Sequence, residues 1–436
     1  MLRSLFIDFN SYFASVEQQL NPALRGRPVA VVPVMADSSS CIAASYEAKA
    51  FGVRTGTGVA QARRLCPGIV LVAADHAKYV ELHHRAVAVV DRLAPVRQVL
   101  SIDEMECELT GRWCARDQAV ALAQRVKAAL LAEVGECMRT SVGIAPNTLL
   151  GKLASNMHKP DGLTVIELHE LPGRLYGLPV TAINGIGARM EARLARHGIT
   201  TMRQLLHAPR EVLVAAWGGV GGAEMHDKLR GQWYGPRKTV ARSLGHSHVL
   251  PPDLRHAEGA RAVLHRLTQK AAMRLRAQQV YATSLSVHVR CERPRTRTTD
   301  GDALGCASPR GSRLGGERWV ALPETQDTAL LLRTLDTLWH TGLHALARPM
   351  AVGVQLHGLV PASQHTPDLF GEAGAHGTAQ GTRRHAPQRA RLLEAIDALN
   401  RKHGKNTVYF ASAQAGLDHA PMRIAFNRIP DLNSER

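Results

Sequence analysis

Strand-length and helix-length hydrophobic patterns alternate through the first 165 residues, and that alternation restricts this part of the chain to an α/β layer architecture. Leu5-Phe-Ile7 reads as a short strand, after which Tyr12, Phe13, Val16 and Leu20 fall on one helical face. Asn10 and Ser11, between them, are N-cap residue types. Val29 to Val32 predicts a second strand, and Ser45 to Phe51 a short helix stopped by Gly52. Helices are expected over Lys78 to Leu93, 117 to 134 and Asn147 to Met157, and strands over Gln98 to Leu109 and Thr140 to Ile144. Asp8 thus ends one strand beside a helix N-terminus, where anions and the metals bridged to them are commonly held. Ser101-Ile-Asp-Glu104 lies within another strand.

From 178 the texture changes to short helices with Gly breaks, one of them Ile183-Asn-Gly185-Ile-Gly187. A third pattern begins near 240, with a strand over Arg242 to Val249, a long basic helix over 256 to 278, and clean alternation at Tyr281, Thr283, Leu285, Val287 and Val289. A Gly/Arg-rich hairpin or loop at 293 to 316, a strand at Trp319 to Leu322, a helix at 325 to 345 and a strand at 350 to 359 complete a β-α-β-β-α-β order. That is a split βαβ module, with two helices on one sheet face. After 360 the chain loosens, and Gly371 to Gly381 has the composition of a flexible linker before a last helix at 387 to 402.

With 436 residues, roughly three domains of about 150 residues each are expected. A hydrophobic fraction of 45% with 21% charged residues is globular, and no apolar run reaches transmembrane length. Asp8 interrupts the N-terminus before a signal-peptide core forms, so a cytoplasmic protein is expected. Seven scattered cysteines without a C-x-x-C pair argue for reduced thiols over a disulfide framework or zinc finger. His246-Ser-His248 has no further ligands near it in sequence and reads as a polar strand segment. The net charge of +17 is unevenly spread, about +2 over residues 1 to 150 and +12 over 151 to 300. The basic middle fits a polyanion-binding surface, or a charged face that serves solubility alone.

If the two strands bearing Asp8 and Asp103-Glu104 are neighbours, three carboxylates converge. Unpaired, they repel one another unless cations neutralise them. Magnesium suits such a group, because it takes a few carboxylates and fills its other positions with water and phosphates. Two ions about 4 Å apart can clamp both oxygens of an in-line phosphoryl displacement. The spacing alone fits equally well three acids salt-bridged at strand ends.

The surrounding words decide between these readings. Asp8-Phe-Asn-Ser-Tyr-Phe-Ala-Ser-Val-Glu17 resembles the N-terminal signature of Y-family translesion DNA polymerases of the DinB/UmuC type. Ser101-Ile-Asp-Glu104, continuing to Glu108-Leu-Thr-Gly111, resembles the second acidic motif of that family. Ser45-Tyr-Glu-Ala-Lys-Ala-Phe-Gly-Val53 is similar to its finger motif, and Ser141-Val-Gly-Ile-Ala-Pro-Asn147 to Lys159-Pro-Asp-Gly162 to the segment closing its palm. The motifs stand in the family's order and cover roughly residues 1 to 360.

The resemblance implies a right-hand polymerase: palm at 1–20 and 75–165, fingers at 21–74, a helix-hairpin-helix thumb at 166–238, a little finger at 240–360, and a flexible tail at 361–436. It implies that Asp8, Asp103, Glu104 and the Phe9 carbonyl hold two Mg²⁺ ions, that Tyr46, Lys49 and Lys159 contact an incoming dNTP, and that Phe13 is a steric gate against ribose. Lys49 stands where many relatives have Arg, which weakens bidentate phosphate contact. Asn10 replaces a second Asp and is not nominated as a ligand, while Glu106 stands where relatives carry an apolar side chain and suits a local ion pair.

Gly185 and Gly187 would bring backbone N–H groups to phosphate, and Arg242, Arg290, Arg293, Arg295 and Arg297 would bind the backbone of primer-template DNA. Leu369-Phe370 in Thr366-Pro-Asp-Leu-Phe370 resembles a degenerate sliding-clamp peptide, and could equally pack on its own domain. The expected activity is template-directed, low-fidelity translesion synthesis without proofreading, by a monomer at the nucleoid. A non-catalytic or partner-dependent accessory protein and a nucleotidyl cyclase are the rival classes.

Overall fold

A computed structural model describes residues 1–235, 240–292, 315–366, 386–404, 406–419 and 429. These fall into two compact units, one within Met1–Arg237 and one within Lys238–Met422.

The first unit is built around β1 (Ser4–Phe9), whose six residues are all buried. α1 (Tyr12–Leu20) follows it. Next come β2 (Val29–Val32), β3 (Ala43–Ala44), α2 (Tyr46–Ala50), α3 (Val59–Leu65) and β4 (Val70–Ala73). These form a small sheet in the order β3-β2-β4, closed over Ala30, Val32, Val53 and Val59. α4 (His76–Leu93), β5 (Val96–Val99), β6 (Glu104–Glu108), α5 (Arg116–Glu133), β7 (Thr140–Ala145), α6 (Thr148–Met157) and β8 (Leu163–Val165) return to the main sheet. Its order is β5-β6-β1-β7-β8, so β1 is central, antiparallel to both β6 and β7. The short helices α7 (Ala188–Arg196), α8 (Met202–His207), α9 (Arg210–Trp217) and α10 (Val220–Leu229) share one apolar cluster with α6, including Leu150, Leu153, Ile186, Leu194 and Leu213.

The expected strand over 98 to 109 is two strands joined by a turn, since Leu100 N and Ser101 N both donate to Glu104 O. The apolar alternation changes phase between Ile102 and Met105, and the turn lies at that break.

The second unit has the expected β-α-β-β-α-β order: β9 (Ser243–Val249), α11 (Ala257–Ala277), β10 (Val280–Cys291), β11 (Gly315–Thr325), α12 (Thr328–His340) and β12 (Pro349–His357). A two-residue β13 (Val360–Pro361) pairs with the start of β10. The antiparallel sheet runs β11-β10-β12-β9, with both helices packed into one core through Leu264, Leu267, Leu331 and Leu335. β11 is longer than the predicted 319 to 322, and the predicted helix over 325 to 345 ends at His340 before a separate 3-10 turn at Leu343–Ala345.

The tail expected to be flexible from 361 contains a docked element. α13 (Ala386–His403) and the 3-10 segment Ala411–His419 cover the polar side of α11, where His265, Arg266, Gln269 and Lys270 are buried. Nδ1 of His265 lies 2.8 Å from Ser412 Oγ, and Phe410 N donates to Gln269 Oε1 at 3.3 Å. Arg276 donates from Nε and Nη2 to both oxygens of Asp397, at 2.6 and 2.9 Å. The Gly-rich composition of 371 to 381 conceals this, because the docking residues lie beyond it.

Removing one member of a buried ion pair strands the other charge, at a cost of about 3 to 5 kcal/mol. Asp397→Ala is therefore expected to lower the unfolding free energy of the second unit by an amount in that range, and Asp397→Asn by less, as read from urea melts of the full chain.

Candidate active site

The ladder places Asp8 opposite Glu104 on one side and Ser141 on the other. Asp103 is outside the strand, in the turn before β6, where its carbonyl accepts from Phe9 N at 2.9 Å and its Oδ1 accepts from Ser101 Oγ at 2.5 Å. The three nominated carboxylates therefore lie along the β1–β6 seam. Their oxygens are not drawn into a bare cluster, and among the described residues no three His, Cys, Asp or Glu side chains form a metal-ligand group.

Ammonium groups stand among them instead. Lys152 Nζ donates to Asp8 Oδ2, and to Glu104 Oε1 at 2.7 Å. Lys159 Nζ donates to Asp8 Oδ1 at 2.6 Å. Asp8 is 2% exposed, and burying an ion without partners is costly, so these pairs are what allow a carboxylate in the central strand. Burial raises the carboxyl pKa of both Asp103 and Glu104 above the ordinary range, and Lys152 opposes that shift. Burial pulls the Lys152 ammonium down, but Asp8 and Glu104 more than reverse it, leaving it raised.

Lys152 reaches the seam because α6 lies directly on the sheet. A Cβ on Gly143 of β7 would stand 2.0 Å from Gly151 O, and one on Gly151 would stand 2.9 Å from Ser4 Oγ. At Gly143 any Cβ would strike the backbone of α6, so glycine there permits the approach. The Asn147 side chain caps α6 by accepting from Leu150 N at 3.0 Å. Asn10 likewise has a structural role: it donates to Ser141 Oγ at 2.9 Å and accepts from Asp161 N at 2.7 Å, which fixes the loop carrying Lys159. Ser11 does not cap α1. It sits at φ 52° without a side-chain cap bond, and its Oγ accepts from Lys49 Nζ at 2.7 Å.

Lys49 and Tyr46 face each other on α2, with Nζ 4.3 Å from the ring centroid. Burial and the like charge of Lys159 lower the Lys49 pKa, while burial and Asp8 raise that of Tyr46. Ser45 caps this helix by accepting from Ala48 N at 3.3 Å. Phe13 packs on Tyr79 with centroids 4.6 Å apart, and Tyr12 OH donates to Tyr79 O at 2.7 Å. Tyr79 OH donates in turn to Glu17 Oε1 at 2.7 Å.

Gly185, at φ 97°, and Gly187, which precedes Ala188, form the turn into α7. Arg242 and Arg290 are exposed in the second unit. Arg293, Arg295, Arg297, Leu369 and Phe370 lie outside the described residues.

Several functional neighbours escape a reading of the sequence. Lys152 lies on α6 and Lys159 on the loop after it, so helical spacing does not relate the two. Glu106 is fully buried, paired with Arg97 and accepting from Ser4 Oγ at 2.5 Å and Thr148 Oγ1 at 2.8 Å, so the expected local ion pair is part of a wider network. His83 donates from Nδ1 to Ile102 O at 2.8 Å and so supports the Asp103 turn. No sequence pattern marks that contact.

Burial pushes the His83 pKa down to about 4. Between pH 6.5 and about 4 the unfolded chain therefore takes up a proton that the folded chain does not, and folding stability falls with pH through that window. Going from pH 7 to 4.5, the native protein is expected to lose about 2 kcal/mol more unfolding free energy than His83→Gln, measured by urea titration.

Residues 7–156 match the impB/mucB/samB family, and residues 241–369 match that family's C-terminal domain. The chain is 35% identical over 425 residues to DNA polymerase IV of Moorella thermoacetica, covering 94% of this chain and 96% of the relative. It is 31% identical to DNA polymerase IV of Pelotomaculum thermopropionicum over 93% of each. A Y-family DNA polymerase chimera of Dbh and Dpo4 superposes with a TM-score of 0.66 at 24% identity, over 83% of this chain and 100% of that one. The insertion ternary complex of Dbh DNA polymerase superposes with a TM-score of 0.52 at 23% identity, over the same shares. These two likenesses are of fold. Among the described residues no helix is long and apolar enough to cross a membrane.

Proposed function

The chain belongs to the impB/mucB/samB family and is a DNA-directed DNA polymerase of the Y-family, DinB type, serving translesion synthesis, and from that premise we propose how its own residues carry the reaction. The single observation that supports the reading best is the meeting of Asp8 and Glu104 across one ladder, with Asp103 in the adjoining turn and Lys49, Lys159 and Tyr46 arranged around them.

Asp8, Asp103, Glu104 and the Phe9 carbonyl would hold two Mg²⁺ ions. The donor set fits, because hard carboxylate oxygens that already gather ammonium charge suit a divalent cation. When bound, the ions supply charge stabilisation at the attacking and leaving oxygens of the displacement. Lys159 and Lys49 offer N–H donors to the triphosphate of a dNTP and Tyr46 a phenol, orienting it for attack by a primer 3′-hydroxyl. Phe13, braced by Tyr79, stands where a ribose 2′-hydroxyl would clash.

In this reading the palm is 1–20 and 75–165, the fingers 21–74, the thumb 166–238 and the little finger 240–360. Gly185 and Gly187 grip duplex phosphates, and Arg242 and Arg290, with Arg293, Arg295 and Arg297, bind DNA without regard to sequence. The sheet face of the second unit that points away from its helices carries the half-buried polar residues Ser284 and Gln355 and a Trp319 that is 71% exposed. Leu369 and Phe370 would engage a sliding clamp. Low fidelity follows from the small fingers, and no exonuclease module is part of the proposal.

Primer extension with the purified full chain tests the reading. Native protein is expected to extend an undamaged primer-template with Mg²⁺, to stop on chelation, and to lose at least a thousandfold of its rate in Asp103→Ala/Glu104→Ala. Salt-sensitive primer-template binding without extension by the native chain would favour a partner-dependent role instead. Phe13→Ala is expected to keep dNTP incorporation while raising the ratio of ribonucleotide to deoxynucleotide incorporation at least a hundredfold, in single-nucleotide assays.

A further inference from the structure

Both carboxylate oxygens of Asp8 are engaged by ammonium groups, Oδ2 by Lys152 and Oδ1 by Lys159. Lys152 also donates to Glu104 Oε1 at 2.7 Å, and so bridges facing residues of β1 and β6. It is no loose surface lysine. Its side chain is 13% exposed, its Nζ lies 5.3 Å from the Phe6 ring centroid, and the Gly143–Gly151 contact holds its helix against the sheet.

Resting on the reading of Asp8, Asp103 and Glu104 as metal ligands, we propose that Lys152 is the resident counter-ion of that site, a positioning residue whose ammonium competes with a divalent cation for the same oxygens. An ammonium donating to two carboxylates supplies the positive charge that their approach across the ladder requires. A cation can take those oxygens only as Lys152 gives them up. An incoming triphosphate carries several anionic oxygens and offers the displaced ammonium new acceptors. Cation entry is thereby coupled to substrate arrival, and by linkage the coupling is reciprocal. Lys159 differs, because it touches Asp8 alone and is more exposed, at 29%.

The test is Mn²⁺ binding to the full chain, free of nucleotide and DNA, followed by electron paramagnetic resonance. Lys152→Met, which keeps an apolar stem of similar length, is expected to bind Mn²⁺ at least tenfold more tightly than the native chain, whereas Lys152→Arg, which keeps the charge, stays within about threefold of it. Asp103→Asn weakens binding in both the native and the Lys152→Met backgrounds. Equal or weaker binding by Lys152→Met, with the Asp103 dependence intact, overturns the counter-ion role and leaves the metal-ligand reading standing. Binding indifferent to Asp103→Asn in both backgrounds, or absent from both, overturns the metal-ligand reading itself. A second measurement needs no variant: acetylation of Lys152 in the native chain, mapped by mass spectrometry, should rise severalfold on Mn²⁺ saturation as the ammonium is released. Unchanged labelling overturns the proposal.

Discussion

The pairing of Asp8 with two lysines is the constraint on which the first unit turns. A carboxylate in the central, fully buried strand of a sheet is tolerable only where cations meet it. Those cations come from one stretch of chain, Lys152 on α6 and Lys159 just beyond it. Bringing α6 close enough requires Gly143 and Gly151 in contact, and holding the Lys159 loop in place requires the Asn10 side chain on Asp161 N. Backbone packing, loop position and charge balance are therefore one problem with one solution.

Around this centre the protein uses buried polar contacts as braces. Glu106 ties β6 to Ser4 of β1, to Thr148 of α6 and to Arg97, whose guanidinium lies 4.3 Å from the Trp233 ring centroid. Tyr12, Tyr79 and Glu17 form a second chain of contacts behind Phe13, and His83 supports the turn of Asp103. Such networks are stabilising only when their members are satisfied, and they hold nearby groups in defined positions. Asp8 and Lys49 each meet a partner from a different element, Asp8 the lysines at 152 and 159 and Lys49 the hydroxyl of Ser11.

The second unit is three-layered rather than two-layered. α11 turns one side to the sheet and the other to the C-terminal segment, so its polar residues His265, Arg266 and Gln269 are buried along with its leucines. A helix amphipathic in sequence but buried all round implies a second covering layer. Here that layer is α13 with Ala411–His419, joined by the Arg276–Asp397 pair.

Element order, the alternation of strands and helices, the β-α-β-β-α-β module and the strand-end placement of Asp8 are all legible in the chain, because each depends on local periodicity. The motifs likewise assign Tyr46, Lys49, Phe13 and Lys159 to one neighbourhood. Apolar alternation on either side puts Asp103 inside a strand, although the change of phase between Ile102 and Met105 marks the turn there. Composition makes the tail loose, since a Gly-rich stretch says nothing of how a helix that follows it will dock. Which charge meets which carboxylate is decided only by tertiary structure: strand register sets Asp8 against Glu104, and the distance between α6 and the sheet sets Lys152 between them. Both depend on long-range approach of backbone, and no repeat of three or four residues records that.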